Sequence, residues 1–289
     1  MQASEPHISC LHQRLVLYKR FYLPNRLPLF PQTPSPHNTM ASSEQERFNS
    51  CYQQWANQQQ QDLEELLRSY NQDPQDPDRL AQLVAENVRH YQDYCEQRTR
   101  LAAEDPPSFF SPTWCTSLEN SFLWIAGCRP SLSIRLVYSL SGSELELQLS
   151  EYLKGVRRGN LAELSPRQME SINKLHCNTI REEDKLSSRM ASLQEDMGDL
   201  PLVRIASERG RGGSEDESDR AIQDYLAALA NLLEEADKLR LRTLKELVDI
   251  LTPSQATEFL IAAKQLRLSV HEWGKRRDRQ HGRSHLHPS

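Results

Sequence analysis

Aromatic residues are few in this sequence, and its cysteines are scattered. Phe, Trp and Tyr make up 7% of the 289 residues, while Gln, Glu, Arg and Leu are abundant, a composition typical of long amphipathic helices rather than of a sheet protein. The six cysteines, at positions 10, 51, 95, 115, 128 and 177, form no C-x-x-C pair and have no clustered histidines beside them. This spacing argues against a zinc site and a disulfide framework and predicts reduced thiols in a cytosolic or nuclear protein.

Long apolar runs and an excess of positive charge are also lacking. No apolar run approaches the roughly 18 residues that span a bilayer, so we expect no membrane segment. A net charge of -5 gives no global attraction to nucleic acid. The mean hydropathy of -0.70 favours a folded domain with flexible ends over one large globular domain.

Catalytic motifs are missing as well. The sequence contains no nucleophile elbow, P-loop, dinucleotide fingerprint or HExxH motif. Its carboxylates fall on helix faces that we expect to be solvated. The sequence therefore predicts a non-catalytic binding module whose specificity lies in exposed patches, and not an enzyme.

Apolar residues recur at three- and four-residue spacing from Glu44 to Trp273, which predicts an all-α fold, a helical bundle of long amphipathic helices with disordered termini. Asp78, Ser165 and Thr252 are the predicted N-caps of three of these helices. Residues 169–197 have heptad spacing, which fits either a coiled coil or a long helix of a bundle. Polar residues at several heptad positions favour the bundle helix.

The ends and one internal stretch differ in composition from the helices. Residues 1–43 are predicted to be a disordered extension, because residues 1–39 hold a single acid, Glu5, and carry five prolines between Pro24 and Pro36. A transit peptide is the alternative for this segment. Residues 44–276 form the predicted domain, interrupted by a mobile Gly-rich and acidic linker at 198–219. Residues 277–289 form a predicted basic, His-rich disordered tail.

The centre of the domain is the stretch WCTSLENSFLWIAGCRPS, residues 114–131. We expect Ser117 to cap a short helix that continues without a polar break through Phe122 to Ala126 and is buried all round. Gly127 then ends the helix, and the chain turns before Pro130. The residues that follow alternate between apolar and polar, but their propensities favour helix after a turn at Ser141-Gly142.

These residues also resemble a known family. The resemblance to the Delay of Germination domain of plant seed-dormancy regulators rests on Pro112, Trp114, Leu118, Glu119, Phe122, Leu123, Trp124, Ile125, Gly127, Arg129, Pro130 and Ser131. Trp55 in the opening helix and the run from Glu234 to Gly274, which includes Trp273, extend it over roughly residues 44–276. Cys128 departs from the pattern, since many members have an aromatic residue there.

The resemblance implies a function as well as a fold. It implies a regulator of seed dormancy and germination in abscisic acid signalling, located in nucleus and cytoplasm, that binds and restrains clade A type 2C protein phosphatases. The same domain forms the C-terminal half of TGA bZIP factors, so a transcription co-regulator that associates with itself or with bZIP factors is the alternative. No basic run precedes heptads before Glu44, so direct DNA binding is not expected.

The resemblance raises one cofactor, haem, which dormancy regulators of this family bind through two histidines four residues apart on the last helix. His271 matches the second of these positions, but Arg267, which cannot ligate iron, stands at the first. His176 is the candidate substitute, and His281, His285 and His287 could capture metal nonspecifically. The sequence therefore predicts no cofactor, with haem at His271 as the alternative.

Overall fold

The structure is a computed structural model, and it describes residues 37–72, 76–153, 160–196 and 215–283, with side chains described in 46–72, 76–142, 160–196 and 219–283. Contacts divide the chain into two units, Met1–Ser42 and Ser43–Ser289. Apart from residues 37–42, which begin its first helix, the architecture below is that of the second unit. Within the described ranges, no helix combines the length and apolarity needed to cross a bilayer.

The described residues confirm the predicted all-α class. The six long helices are α1 His37–Gln72, α2 Pro77–Ala102, α5 Ser131–Leu153, α6 Pro166–Asp196, α7 Glu215–Ile250 and α8 Pro253–Gln280. Three shorter elements lie between them: α3 Pro106–Phe110, α4 Ser117–Ser121 and the 3-10 turn η1 Leu161–Glu163. Strand-like pairing among these residues is limited to one isolated bridge between Trp124 and Gly127.

Two predicted helix starts are confirmed and one is wrong. Ser165 accepts the Gln168 N–H at 3.2 Å, and the Ser165 N–H donates to Gln168 Oε1 at 2.9 Å. Thr252 and its partner Gln255 form the same capping box at the start of α8. The cap of α2 is Asp76, which accepts the Arg79 N–H at 3.0 Å, because that helix begins one step before the predicted cap, Asp78.

Several helix bounds differ from the predicted ones. Helix α1 begins at His37 rather than Glu44, and α8 runs past residue 276 to Gln280. Helix α5 continues through the predicted turn at Ser141-Gly142, where Gly142 has open space around it. Helix α7 begins at Glu215, inside the predicted linker. The other predictions for the linker and for the chain ends concern residues 1–36, 197–214 and 284–289, which lie outside the described residues.

Buried apolar side chains join the long helices into one core. Each of the six long helices contributes a side chain that is at most 1% exposed: Leu66, Leu83, Ile134, Ile172, Leu247 and Phe259. An aromatic cluster forms a second part of the core, where Trp114 of the signature stretch is 7% exposed and its ring lies 5.6 Å from that of Phe109. A third group surrounds Leu232 and Ala236 on α7.

Helix α6 packs as a bundle helix along α7, which also contacts α2. Its buried positions are Ile172, Leu175, Thr179, Glu183 and Leu186. His176, a member of the predicted heptad, is instead half-buried beside the ring of Tyr138, with ring centroids 5.6 Å apart. The polar heptad members Thr179 and Glu183 are buried because they meet polar groups of neighbouring elements.

Replacing Trp114 with Ala should lower the free energy of unfolding by about 3–5 kcal/mol, because a large aromatic side chain leaves a cavity in the aromatic cluster. The matched control is Trp273→Ala on α8, whose side chain is 50% exposed. This change should cost less than about 1 kcal/mol. Urea unfolding of both variants measures the difference, and equal costs would show that the burial of Trp114 is not what stabilises this part of the domain.

Candidate functional site: the signature loop and its anchors

The signature stretch forms a strained loop, not the continuous buried helix that the sequence predicts. Helix α4 ends at Ser121, and Phe122, predicted to be core, is 56% exposed. The chain then turns tightly, because the Trp124 N–H donates to the Gly127 carbonyl at 2.7 Å and the Gly127 N–H donates back at 3.2 Å. Ile125 and Ala126 take positive φ angles of 44° and 57° in this turn. Such backbone costs on the order of 1–3 kcal/mol per residue, so other contacts must hold it.

Arg240 of α7 supplies those contacts. Its Nε donates to the carbonyl of Cys128 at 2.8 Å, and its Nη2 donates to the carbonyls of Trp124 and Ile125 at 2.5 and 2.8 Å. Its Nη1 donates to Asp237 Oδ1 at 2.6 Å. One guanidinium therefore donates to three backbone carbonyls and one carboxylate, whereas an ammonium group has only three N–H donors for these four acceptors.

Arg98 of α2 holds the remaining carbonyl of the turn. Its Nη2 donates to the oxygen of Ala126 at 2.8 Å, and its Nε lies 3.3 Å from Asp237 Oδ2. Burial lowers the pKa of the Arg98 guanidinium, but the Asp237 carboxylate, together with the neighbouring Tyr94, Tyr91 and Cys95, outweighs burial and raises that pKa above its ordinary value. Arg98, Asp237 and Arg240 are each less than a tenth exposed, so this charged cluster links α2, α7 and the loop inside the domain.

Gly127 is required by the close approach of Arg240 and not by its own φ angle. A Cβ atom at this position would lie 2.7 Å from Cζ of Arg240. Any larger residue would push the guanidinium away from the carbonyls that it binds. Cys128 is exposed and contributes its carbonyl, so its departure from the aromatic residue of the family does not disturb the loop.

The end of the loop is anchored to α6 through Glu183, which is 1% exposed. Its carboxylate accepts the backbone N–H of Ser131 at 2.7 Å and the Ser131 hydroxyl at 3.0 Å. Arg129 lies 3.8 Å from the same carboxylate. Pro130 is buried, and helix α5 begins at the next residue, so Glu183 fixes the point where the loop becomes helix.

Trp124 lies on the side of the loop that faces α6. Its indole N–H donates to the Ser187 hydroxyl at 2.9 Å. The guanidinium carbons of Arg129 and Arg240 lie 5.6 and 5.4 Å from the centre of its ring, within the range of a cation–π interaction. The side chain is half-buried rather than a fully buried core residue.

A second anchor joins α4 to α8. The N-cap of α4 is Thr116, and not the predicted Ser117, since the Glu119 N–H donates to the Thr116 hydroxyl at 3.2 Å. The Ser117 N–H instead donates to Asp278 Oδ2 at 2.9 Å. Helix α8 passes so close that a Cβ on Gly274 would lie 2.1 Å from Thr116 Oγ1. Gly274 is therefore required for this contact.

Glu119 accepts several hydrogen bonds at the junction of α4 and α8. It accepts hydrogen bonds from Nδ1 of His271 at 3.0 Å, from the Thr116 N–H at 2.8 Å and from the Tyr52 hydroxyl at 3.1 Å. Burial raises the pKa of this carboxyl, but the hydrogen bonds from His271 and Thr116 outweigh burial and lower it from 4.5 to about 2. The folded domain therefore favours the carboxylate form of Glu119.

The residues around His271 do not fit a pair of haem ligands. Arg267, at the position where the resemblance implies the partner histidine, lies with its guanidinium carbon 4.3 Å from the centre of the Trp55 ring. The proposed substitute, His176, contacts Tyr138 instead. Among the described residues, no group of three or more His, Cys, Asp and Glu side chains could hold a metal ion. His281 donates from Nδ1 to the carbonyl of Arg277 in the last turn of α8 at 2.8 Å, and His285 and His287 lie outside the described residues.

The remaining predicted signature residues lie in different surroundings. Trp55 is half-buried and stacks on Tyr94 with ring centroids 4.4 Å apart. Trp273, which belongs to the stretch that carries the resemblance, is half exposed. Sequence reasoning missed Arg98, Asp237 and Arg240. Their position in the sequence could have revealed them. Asp237 and Arg240 are three residues apart among the buried residues of α7, on the face that meets α2 and the loop.

Comparison with known proteins identifies similar chains. A family model described as seed dormancy control, DOG1, matches residues 59–139. Protein DOG1-like 3 of Arabidopsis thaliana is 39% identical over 240 residues, which cover 80% of this chain and 84% of that protein. From the same plant, Protein RESPONSE TO ABA AND SALT 1 is 27% identical over 66% of this chain and 77% of its own length. Transcription factor TGA2 is 25% identical over 74% of this chain and 59% of its own length.

Replacing Arg240 with Ala should lower the free energy of unfolding by about 3–5 kcal/mol, because Asp237 and the loop carbonyls lose their buried donor. Arg242→Ala, two residues along the same helix, is the matched control. Arg242 is exposed and pairs loosely with Glu246 at 4.0 Å, so its loss should cost less than about 1 kcal/mol. Urea unfolding measures both. An equal, small cost for the two variants would contradict the role of Arg240.

Replacing Glu119 with Gln should destabilise the domain by about 2 kcal/mol at neutral pH, a value below the full pKa shift because the site is partly solvated. A carboxyl with a lowered pKa stabilises the fold above its ordinary pKa and loses that contribution as the pH falls through its folded pKa. The difference in free energy of unfolding between wild type and Glu119→Gln should therefore become smaller as the pH falls from about 4.5 to about 2.

The measurement is urea unfolding of both proteins across that pH range. The matched control is Glu96→Gln on α2, which removes an exposed carboxylate whose partner is the neighbouring Gln92. This control should leave the pH profile unchanged. If the difference in free energy of unfolding between wild type and Glu119→Gln stays constant over this pH range, ionisation of Glu119 does not stabilise the fold.

Proposed function

Because the chain belongs to the seed dormancy control (DOG1) family, we propose that it is a regulator of seed dormancy and germination in abscisic acid signalling. It acts without catalysis, by binding clade A type 2C protein phosphatases and restraining them. The observation that carries this proposal is the 39% identity to Protein DOG1-like 3 over most of both chains. The similarity to Protein RESPONSE TO ABA AND SALT 1 supports the link to abscisic acid.

The geometry supports a binding module for a physical reason. The charged groups of the signature region, including Arg240, Glu183 and Glu119, are engaged in holding the loop and the helices together. A catalytic group has to reach substrate, whereas Arg240 and Glu183 are almost fully enclosed by protein. Recognition of a phosphatase therefore falls to the exposed surfaces of the long helices.

A second candidate is a co-regulator of transcription, and the similarity to Transcription factor TGA2 favours it. The net charge of -5 gives no general attraction to DNA. In this role the chain would act through association with bZIP factors rather than by direct contact with bases. Both candidates place the protein in nucleus and cytoplasm.

The experiment that tests the leading proposal measures phosphatase activity with and without the purified chain, across a panel of clade A type 2C phosphatases. We expect saturable inhibition of at least one member that reaches its plateau near one chain per phosphatase. A type 2C phosphatase from another clade is the control and should remain fully active. Absence of both binding and inhibition throughout clade A would overturn the proposal.

A co-precipitation from seed extract separates the two candidates. Recovery of clade A phosphatases supports the first one. Recovery of bZIP factors without any phosphatase would favour the co-regulator and would contradict restraint of phosphatases as the main activity.

A further inference from the structure

An apolar groove lies between α2 and α7 and extends to the start of α8. It has a volume of about 490 Å³. Its floor consists of aliphatic side chains, which are Val84, Val88, Val248, Leu251 and Ala256. Ala81 and Ala85 also line the groove and are exposed, so the backbone of α2 is open to close approach by another chain.

The spacing of the lining residues matches the surface of a helix pair. On α2 the lining positions are Ala81, Val84, Ala85, Val88 and Gln92, which recur at three- and four-residue spacing along one face. On α7, Lys245 and Val248 form the opposite wall. The stretch from Ala81 to Gln92 rises about 16 Å, or about three helical turns. Side chains of a third helix can insert between two such rows.

The charged residues that line the groove give it a net positive charge. Arg89 is an exposed lining residue on α2, and Lys245 and Asp249 are exposed on α7. Lys245 donates to Gln92 at 2.8 Å, which joins the two walls at that end, and no acid among the described residues lies within 4.0 Å of its ammonium group. Neither Arg89 nor Asp249 forms an ion pair with another described residue within 4.0 Å. Two cations therefore face one anion, and the groove favours an acidic ligand.

We propose that this groove binds an amphipathic helix of a partner protein, with an apolar stripe bordered by acidic residues. Large apolar side chains of that helix occupy the floor at Val88 and Val248, since helix-in-groove recognition uses anchors at three- and four-residue spacing. The small side chains of Ala81 and Ala85 let the helix approach α2. A carboxylate of the helix pairs with Arg89.

The test uses a fluorescent peptide of about 18 residues with leucines at three- and four-residue spacing and glutamates on both sides of that stripe. A second peptide with lysines in place of the glutamates tests the sign of charge. Fluorescence anisotropy with the full chain should show saturable one-to-one binding of the acidic peptide. The lysine peptide should bind at least tenfold more weakly.

The variants locate the binding site. Ala85→Arg places a long side chain in the groove and keeps a good helix former in α2, so it should weaken binding of the acidic peptide at least tenfold. Ala227→Arg makes the same substitution at an exposed position of α7 outside the groove and should leave binding unchanged. Arg89→Glu should weaken the acidic peptide and strengthen the lysine peptide. Circular dichroism confirms that each variant retains its helices.

Three outcomes would overturn the proposal. The first is no saturable binding of the acidic peptide, and the second is equal binding by wild type and Ala85→Arg. The third is self-association: sedimentation that shows a wild-type dimer and a monomeric Ala85→Arg variant would mean that a second copy of the chain covers the groove. None of these measurements involves a phosphatase, so the groove and the proposed function are tested separately.

Discussion

The hydrogen bonds from Arg240 to the signature loop are the interaction on which the centre of this domain depends. A buried guanidinium is costly unless its donors are all used, and the carbonyls of Trp124, Ile125 and Cys128 use three of them. The loop depends equally on the arginine, because two of its residues adopt positive φ angles. Each side is unfavourable alone, so loop and arginine stabilise one another, and Gly127 provides the space for their contact.

Buried carboxylates of the long helices also hold the connecting segments. They accept hydrogen bonds from backbone N–H groups, whereas Arg240 donates to backbone carbonyls. The first N–H groups of a helix have no partner inside the helix. Glu183 of α6 accepts the Ser131 N–H at the start of α5, and Asp278 of α8 accepts the Ser117 N–H at the start of α4. Long helices therefore position the short connections between them.

The amphipathic helices could be predicted from sequence because their periodicity is local. The capping boxes at Ser165 and Thr252 are local too, and both are found in the structure. The central loop could not be predicted, since its conformation is set by Arg240 and Arg98 from helices far away in sequence. Without those partners, the apolar run from Phe122 to Ala126 has the pattern of a buried helix. The same limit applies to Glu183, whose burial follows from its contact with Ser131 rather than from its place in the heptad.

Arg267 has a structural role on α8. The resemblance places a haem-ligating histidine there, and this chain has an arginine whose guanidinium lies over the Trp55 ring. A flat, delocalised cation can pack against an indole face much as an aromatic ring does, so Arg267 joins α8 to α1 through Trp55. His271 donates from Nδ1 to Glu119 at 3.0 Å, and this hydrogen bond joins α8 to α4. The contacts of Arg267 and His271 therefore hold α8 in place through protein groups, and a residue that cannot ligate iron stands where the resemblance implies the partner histidine.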